Sequence, residues 1–323
     1  MVQRSRSTHR PTWLTLCICG LLTAVVVHAQ EKTEPEAVWS EYETRFSAAY
    51  EKQDYAAALK LAEEMRDQLE DRYYNTLYNI ACMHCRLGHR EESLASLEHA
   101  VNAGFWDARS MWRDEDFAAL REDKQFRALA ERAWANGYIA MLERPEREDF
   151  QKPREVMEAL KLKHGERVAD IGAGSGYFTL RFAEAVGPAG KVLALDIRQT
   201  MLDYIDKRLK KNEIGNVQLK LVQPDDPLLE PASVDTIIMI DTLHYIKDRV
   251  AYVKKLRAAL VPGGRIVIID YKPRLWDERP WGPPPQQQIA KETIDADFAQ
   301  AGFKVLRSHD FLPEQYFVEY GSE

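Results

Sequence analysis

Along residues 36–135, apolar and small side chains recur every three or four positions. Tyr42, Phe46, Ala49 and Tyr50 share one face; Ala57, Ala58, Leu61, Ala62 and Met65 share another. Leu77, Ile80, Ala81 and His84, then Leu94, Leu97, Ala100 and Val101, continue the pattern. That period predicts amphipathic helices. Trp106, Met111, Trp112, Phe117, Leu120, Phe126 and Leu129 predict a further helical layer. Pro145, Arg147, Glu148 and Asp149 read as a polar connection, after which the rhythm changes. Short apolar runs predict strands at 168–171, 191–197, 217–222, 234–240, 265–270, 304–308 and 316–320. Helical patterns fall between them at 177–186, 201–211, 250–260 and 292–301. Buried Val- and Ile-rich strands alternating with helices predict a doubly wound α/β sheet.

In the helical half, the Gln53-Asp54 and Gly88-His89 turns lie 35 residues apart. A two-helix unit with a period near 34 residues resembles the tetratricopeptide repeat (TPR). Ala81, Gly88, Leu97 and Ala100 occupy that repeat's small and large positions, while Gln53 and Phe46 depart from them. The resemblance implies an all-α, TPR-like domain over 36–135, serving either as a groove for a protein or peptide partner or as a structural cap.

The first residues differ from the rest. Arg4, Arg6 and Arg10 precede an apolar run from Trp13 to Val27, followed by His28-Ala29. A basic flank, a short apolar core and small residues at the cut predict a signal peptide over 1–29 and an exported, periplasmic or secreted, protein. The run is short for a bilayer span of about 20 residues. If uncut, it would instead be a membrane anchor.

Composition narrows the partners. The 323-residue chain is 45% hydrophobic, 29% charged and carries net charge −7, with basic and acidic residues intermixed. Nucleic-acid binding is not expected, because phosphate neutralisation needs clustered Lys and Arg. Cys82 and Cys85 form a C-x-x-C pair on a helical pattern. No second cysteine pair completes a zinc site, so packing is the expected role and no metal is predicted.

The chemistry-bearing segment is Val168-Ala-Asp-Ile-Gly-Ala-Gly-Ser-Gly-Tyr-Phe-Thr179. A strand carries Asp170 near its end, and Gly172, Gly174 and Gly176 follow at alternate positions before a helix. Glycines allow tight turns and close backbone approach to a ligand. The helix start adds amide donors. A dinucleotide fingerprint, G-x-G-x-x-G, would need glycine at position 177, which is Tyr177. Asp196 ends the second strand, twenty residues beyond Gly176, where a carboxylate can accept ribose hydroxyls. Asp225 and Asp226 follow the third strand, Asp241-Thr-Leu-His244-Tyr245 follows the fourth, and Pro262-Gly263-Gly264 precedes the fifth.

This succession over 149–323 resembles the class I S-adenosylmethionine (SAM)-dependent methyltransferases and implies their seven-stranded Rossmann-like sheet. Gln300-Ala-Gly-Phe303 and Phe311–Phe317 resemble that family's tail, and Arg147–Pro153 resembles the lead-in of an exported bacterial subgroup. The resemblance implies SAM as cofactor. Gly172, Gly174 and Gly176 would line its methionyl part and Asp170 would orient the loop. Asp196 would hold the ribose and Asp225 or Asp226 the adenine, with Asp241 at the same edge. His244 and Tyr245 lie where the methyl acceptor should sit, and His244 is either a base for an oxygen or nitrogen nucleophile or a packed loop residue. Residues 276–288, with Trp281 and three consecutive prolines, are either a cover for the site or a plain connector. SAM is made in the cytoplasm while the leader points outside. The alternative is therefore an exported, non-catalytic binding or scaffold protein with a retained SAM fold.

Overall fold

The computed structural model describes residues 34–66, 73–275, 277–279 and 281–322. The expected leader lies outside the described residues. Among the described residues no helix is long and apolar enough to cross a membrane. The chain divides into two compact units after Gly137.

The first unit is helical. It comprises α1 (Glu34–Glu51), α2 (Tyr55–Arg66), α3 (Tyr73–Arg86), α4 (Arg90–Asn102), α5 (Ala108–Arg113) and most of α6 (Lys124–Leu142). The α1–α2 and α3–α4 pairs are hairpins, and α2 packs on α3. Their turns place Gln53 and Gly88 at positive φ. Tyr42, Phe46, Ala58, Ala62, Leu77, Ile80, Leu94 and Leu97 are all buried in one core with Phe117 and Phe126. Cys82 is buried and Cys85 half-buried, and neither forms a disulfide among the described residues. Cys82 lies beside Asp114, and the neighbouring Asp116 is ion-paired with Arg86 at 2.7 Å.

The second unit, residues 138–323, is a three-layer α/β structure. It contains α7 (Arg147–Gln151), α8 (Pro153–Leu160), β1 (Arg167–Ile171), α9 (Thr179–Val186), β2 (Lys191–Asp196), α10 (Gln199–Lys211), β3 (Val217–Leu221) and β4 (Val234–Ile240). After these come α11 (Arg249–Ala259), β5 (Leu260–Tyr271), α12 (Lys291–Gln300), β6 (Phe303–His309) and β7 (Gln315–Ser322). The sheet order is β3-β2-β1-β4-β5-β7-β6. The first five strands are parallel, and β7 runs antiparallel between β5 and β6.

Side chains on a strand point alternately to opposite faces, and both faces here are covered. Ile237 and Met239 of β4, with Ile266 and Ile268 of β5, meet Val253 and Leu256 of α11 and Phe298 of α12. Ile238 and Ile240, with Val267 and Ile269, meet Val156 and Leu160 of α8 and Phe182 and Val186 of α9. This two-sided burial explains why β4 and the second half of β5 read as continuous apolar runs instead of alternating ones.

Several boundaries differ from the sequence pattern. β5 begins at Leu260, because Leu260 pairs with Val234 across an irregular register before the ladder resumes at Arg265. The helix after the glycine loop begins at Thr179, since residues 174–178 form turns. The stretch read as a polar connection contains α7, whose Arg147, Phe150 and Gln151 are buried. The strand order reverses between β1 and β4, and that switch point is where open α/β sheets bind ligands.

Candidate active site

At the switch point the loops after β1 and β4 touch. Gly172 has φ +75°, and a Cβ there would lie 2.3 Å from Thr242 Oγ1. Gly174 has φ +56°, and its Cβ would press on Leu142 Cδ1 at 3.0 Å. Only glycine meets both the backbone and the space requirement. The Gly172 and Ala173 amides both donate to Leu195 O, at 2.8 and 3.0 Å, tying the loop to β2. The Gly176 amide closes the turn on Ala173 O at 2.9 Å.

Asp170 is buried beneath this loop, and its carboxylate accepts from Thr179 Oγ1. Burial pushes its carboxyl up to about 7, with Thr179 opposing and Asp196 adding to the rise. Asp196, at the tip of β2, is turned toward the glycine loop. Its Oδ2 accepts from the Gly174 amide and its Oδ1 from the Arg198 amide, both at 2.9 Å. Burial raises its carboxyl, while the backbone donors pull the other way. Two buried hydroxyls beside this cradle, Ser175 Oγ and Thr200 Oγ1, have no hydrogen-bond partner. Groups left like this cost free energy unless a ligand or water satisfies them. A carboxylate facing a glycine turn, orphaned hydroxyls and a floor closed to any Cβ suit a polar, ribose-bearing ligand with an amino-acid tail.

The other two acids make no hydrogen bond to this cradle among the described residues. Asp225 is exposed. Asp226 Oδ1 accepts from the Leu228 amide at 2.8 Å and Oδ2 from Lys255 Nζ at 3.1 Å, which hold its carboxyl below the usual range.

Beyond β4 the site changes character. Asp241 has φ +53° and its amide donates to Ile269 O. Its carboxylate accepts from Gln151 Nε2 of α7 at 2.7 Å and from Gln315 Nε2 of β7. Burial, then the nearby Asp270, pushes it up to about 6, against Arg147, Gln315 and His244. Arg147 donates to Gln151 Oε1 and to Leu142 O, and its guanidinium lies 4.1 Å from the Tyr177 ring centroid. The protein's own side chains thus already occupy Asp241.

His244 follows in a short 3₁₀ turn, Leu243–Tyr245. Asp270, at the end of β5, holds it twice: Oδ1 lies 2.8 Å from Nδ1, and Oδ2 accepts the His244 amide at 3.1 Å. The Tyr271 amide also donates to Asp270 Oδ1 at 2.8 Å. A carboxylate so surrounded acts as acceptor, so Nδ1 carries a proton, and in the neutral imidazole the lone pair is on Nε2. Nε2 is buried and has no partner. The Tyr245 ring lies 4.1 Å from the His244 ring, is over half exposed and hydrogen-bonds Tyr138.

The structure therefore gathers the glycines, Asp170 and Asp196 on one side and Asp241, His244 and Tyr245 on the other. The sequence pattern did not single out Arg147, Gln151, Asp270 or Gln315 as site residues. Asp270 did carry a signal: like Asp170, Asp196 and Asp241, it is an acid closing a buried apolar strand.

Comparison with known proteins agrees with this geometry. Residues 162–307 match a family model described as a methyltransferase domain. A ubiquinone/menaquinone biosynthesis C-methyltransferase of Teredinibacter turnerae is 31% identical over 117 residues, covering 36% of this chain and 47% of that protein. A demethylmenaquinone methyltransferase of a Geobacillus species is 25% identical over 116 residues, covering 36% of this chain and 50% of that protein. The chain spans about half the length of the curated relatives it matches. A crystal structure of a SAM-dependent methyltransferase from Aquifex aeolicus superposes with a TM-score of 0.53 at 27% identity, covering 57% of this chain and 96% of that one. Sheet order, glycine loop, family model and structural neighbour converge: residues 162–307 match a methyltransferase-domain model, and the sheet resembles that of a SAM-dependent methyltransferase.

Proposed function

We propose that the protein transfers a methyl group to an acceptor whose nucleophilic atom is freed by loss of an O–H or N–H proton, with His244 as the base. The observation that carries this reading is the buried Asp270–His244 pair with Nε2 left unpartnered, in the turn after β4 whose Thr242 meets Gly172. Gly172, Gly174 and Gly176 would take the amino-acid end of SAM and Asp196 its ribose hydroxyls. When bound, SAM supplies an electrophilic methyl group on sulfur. Asp270 fixes the ring and its tautomer, and it stabilises the imidazolium that forms when Nε2 takes the acceptor's proton. Holding both partners in one pocket supplies the orientation that methyl transfer needs.

The basic-then-apolar leader argues for an exported protein, and the helical hairpins of the first unit argue for a peptide-binding or capping role.

The test is calorimetry on the full chain with SAM and S-adenosylhomocysteine. Micromolar binding that weakens at least about tenfold in Asp196→Ala is the expected result. Absence of binding to either compound would replace the enzyme with a scaffold that keeps only the fold.

A further inference from the structure

Arg279 is a buried arginine with unused donors. It is 2% exposed. Its Nη1 donates to Glu314 O at 3.3 Å and lies 3.5 Å from Glu314 Oε2, a carboxylate that Arg274 also approaches at 3.9 Å. Its Nε and Nη2 have no hydrogen-bond partner. A guanidinium does not deprotonate, so both N–H groups stay donors at any working pH. Leaving a buried donor unpaired costs free energy. That arrangement makes sense where an incoming group will pair with them.

The surroundings say what kind of group. The guanidinium lies 4.8 Å from the Tyr271 ring and 5.6 Å from the Trp281 ring. A second guanidinium, Arg144, lies 5.0 Å from Trp281 and 5.3 Å from Phe150. Trp281 packs on Phe150 at 4.6 Å and on Tyr271 at 6.0 Å. Tyr271 in turn meets the His244 ring at 6.2 Å and follows Asp270 directly in the chain. One cluster therefore runs from the unpartnered base to the unpartnered fork, walled by aromatic rings.

We infer that Arg279, supported by Arg144, binds a carboxylate or phosphate group on the methyl acceptor, whose flat apolar body lies against Tyr271 and Trp281. A planar guanidinium fork matches carboxylate and phosphate oxygens two at a time, which makes it a selective reader of such groups. The inference rests on the reading of His244 as the base of a methyltransferase. Arg279 is a recognition residue and takes no part in proton transfer.

The experiment is calorimetry of the full chain saturated with S-adenosylhomocysteine, using benzoate, phenyl phosphate and the neutral isostere benzamide as probes. Benzoate or phenyl phosphate is expected to bind at least about tenfold more tightly than benzamide, and the tighter of the two tells which anion the site reads. Arg279→Met should lower that binding at least about tenfold and leave S-adenosylhomocysteine affinity unchanged. Arg279→Lys keeps the charge and stem but loses the fork, and should fall between them. It also serves if the Met variant fails to fold. Equal binding of benzamide, unaltered anion binding in both variants, or no anion binding up to about 10 mM would each overturn the inference. Loss of S-adenosylhomocysteine binding in the wild-type chain is a separate outcome that removes the methyltransferase reading. The anion titration is then judged without it, by the same three criteria.

Discussion

The two sides of the site are built from different material. The cradle after β1 and β2 is made of backbone: loop amides held to Leu195 O, a Gly174 amide on Asp196, and glycines where no Cβ fits. The pocket after β4 and β5 is made of side chains. Arg147, Gln151, Asp241, His244, Asp270 and Gln315 come from four separate stretches of chain and hold one another by hydrogen bonds. A backbone cradle depends chiefly on local conformation, with Asp196 as its charged contact. A side-chain network depends on charge and on long-range folding. The two should therefore fail in different ways.

The largest effect is expected on the side-chain side. His244→Ala removes the base, and general-base loss costs about 10²–10⁴-fold in rate. S-adenosylhomocysteine release, followed over a panel of small phenols and amines, should drop by that factor while its binding stays at the wild-type level. Asp270→Asn keeps the shape but can donate to Nδ1, favouring the wrong tautomer, and should lose most of the same rate. An unchanged rate in both variants would reduce His244 to a packed loop residue.

The next effect concerns Asp170 and appears in stability. Its carboxyl is raised from 3.8 to about 7, so between those values the folded state binds the extra proton. Stability from this group is full below about pH 4 and is lost as pH rises through about 7. The buried charge at pH 8 then costs a few kcal/mol, since each tenfold gain in proton affinity on folding is worth about 1.4 kcal/mol. Asp170→Asn keeps an acceptor for Thr179 and should raise the thermal midpoint at pH 8 but not at pH 4. Asp196 and Arg147, the charges nearest it, act in opposite directions. A variant less stable than wild type at pH 8 would show that the ionised carboxylate is needed in the loop.

Smaller again is Gly172→Ala. Its Cβ would enter Thr242 Oγ1 at 2.3 Å from a positive φ, so the loop must shift. Strain of about 1–3 kcal/mol should weaken S-adenosylhomocysteine binding about tenfold to a hundredfold. Adding Thr242→Ala relieves the contact but leaves the φ, and should restore part of the affinity. No rescue at all would place the whole cost in the backbone.

The same contrast separates what was legible in the sequence from what was not. The cradle is local: twelve consecutive residues contain Asp170, the three glycines and the helix start, so spacing alone exposed it. The central strands β4 and β5 were legible because burial on both faces leaves long apolar runs. The pocket was not legible, because Gln151 and Gln315 are 164 residues apart and meet only at Asp241. α7 was hidden for a related reason. Arg147 and Gln151 look like surface residues in any periodicity, yet both are buried, as charge and amide partners of one another. Asp270 could have been found by treating every acid at the end of an apolar strand alike.

The smallest expected effect is the most discriminating for the sequence reading, since the methyltransferase resemblance put Asp196 and either Asp225 or Asp226 on the same ligand. Asp196 is buried and its carboxylate meets the glycine loop, whereas Asp226 is spent on the Leu228 amide and Lys255 at a half-exposed turn. Exposed ion pairs contribute little. Asp226→Ala should change S-adenosylhomocysteine affinity less than about threefold, against at least about tenfold for Asp196→Ala. The paired titrations are best run at low and high salt, because any residual effect of Asp226 acts through Lys255 and should fade as salt rises. A tenfold, salt-independent loss in Asp226→Ala would mean that the turn rearranges to bring its carboxylate onto the ligand. The cofactor side would then depend on a second carboxylate beside Asp196.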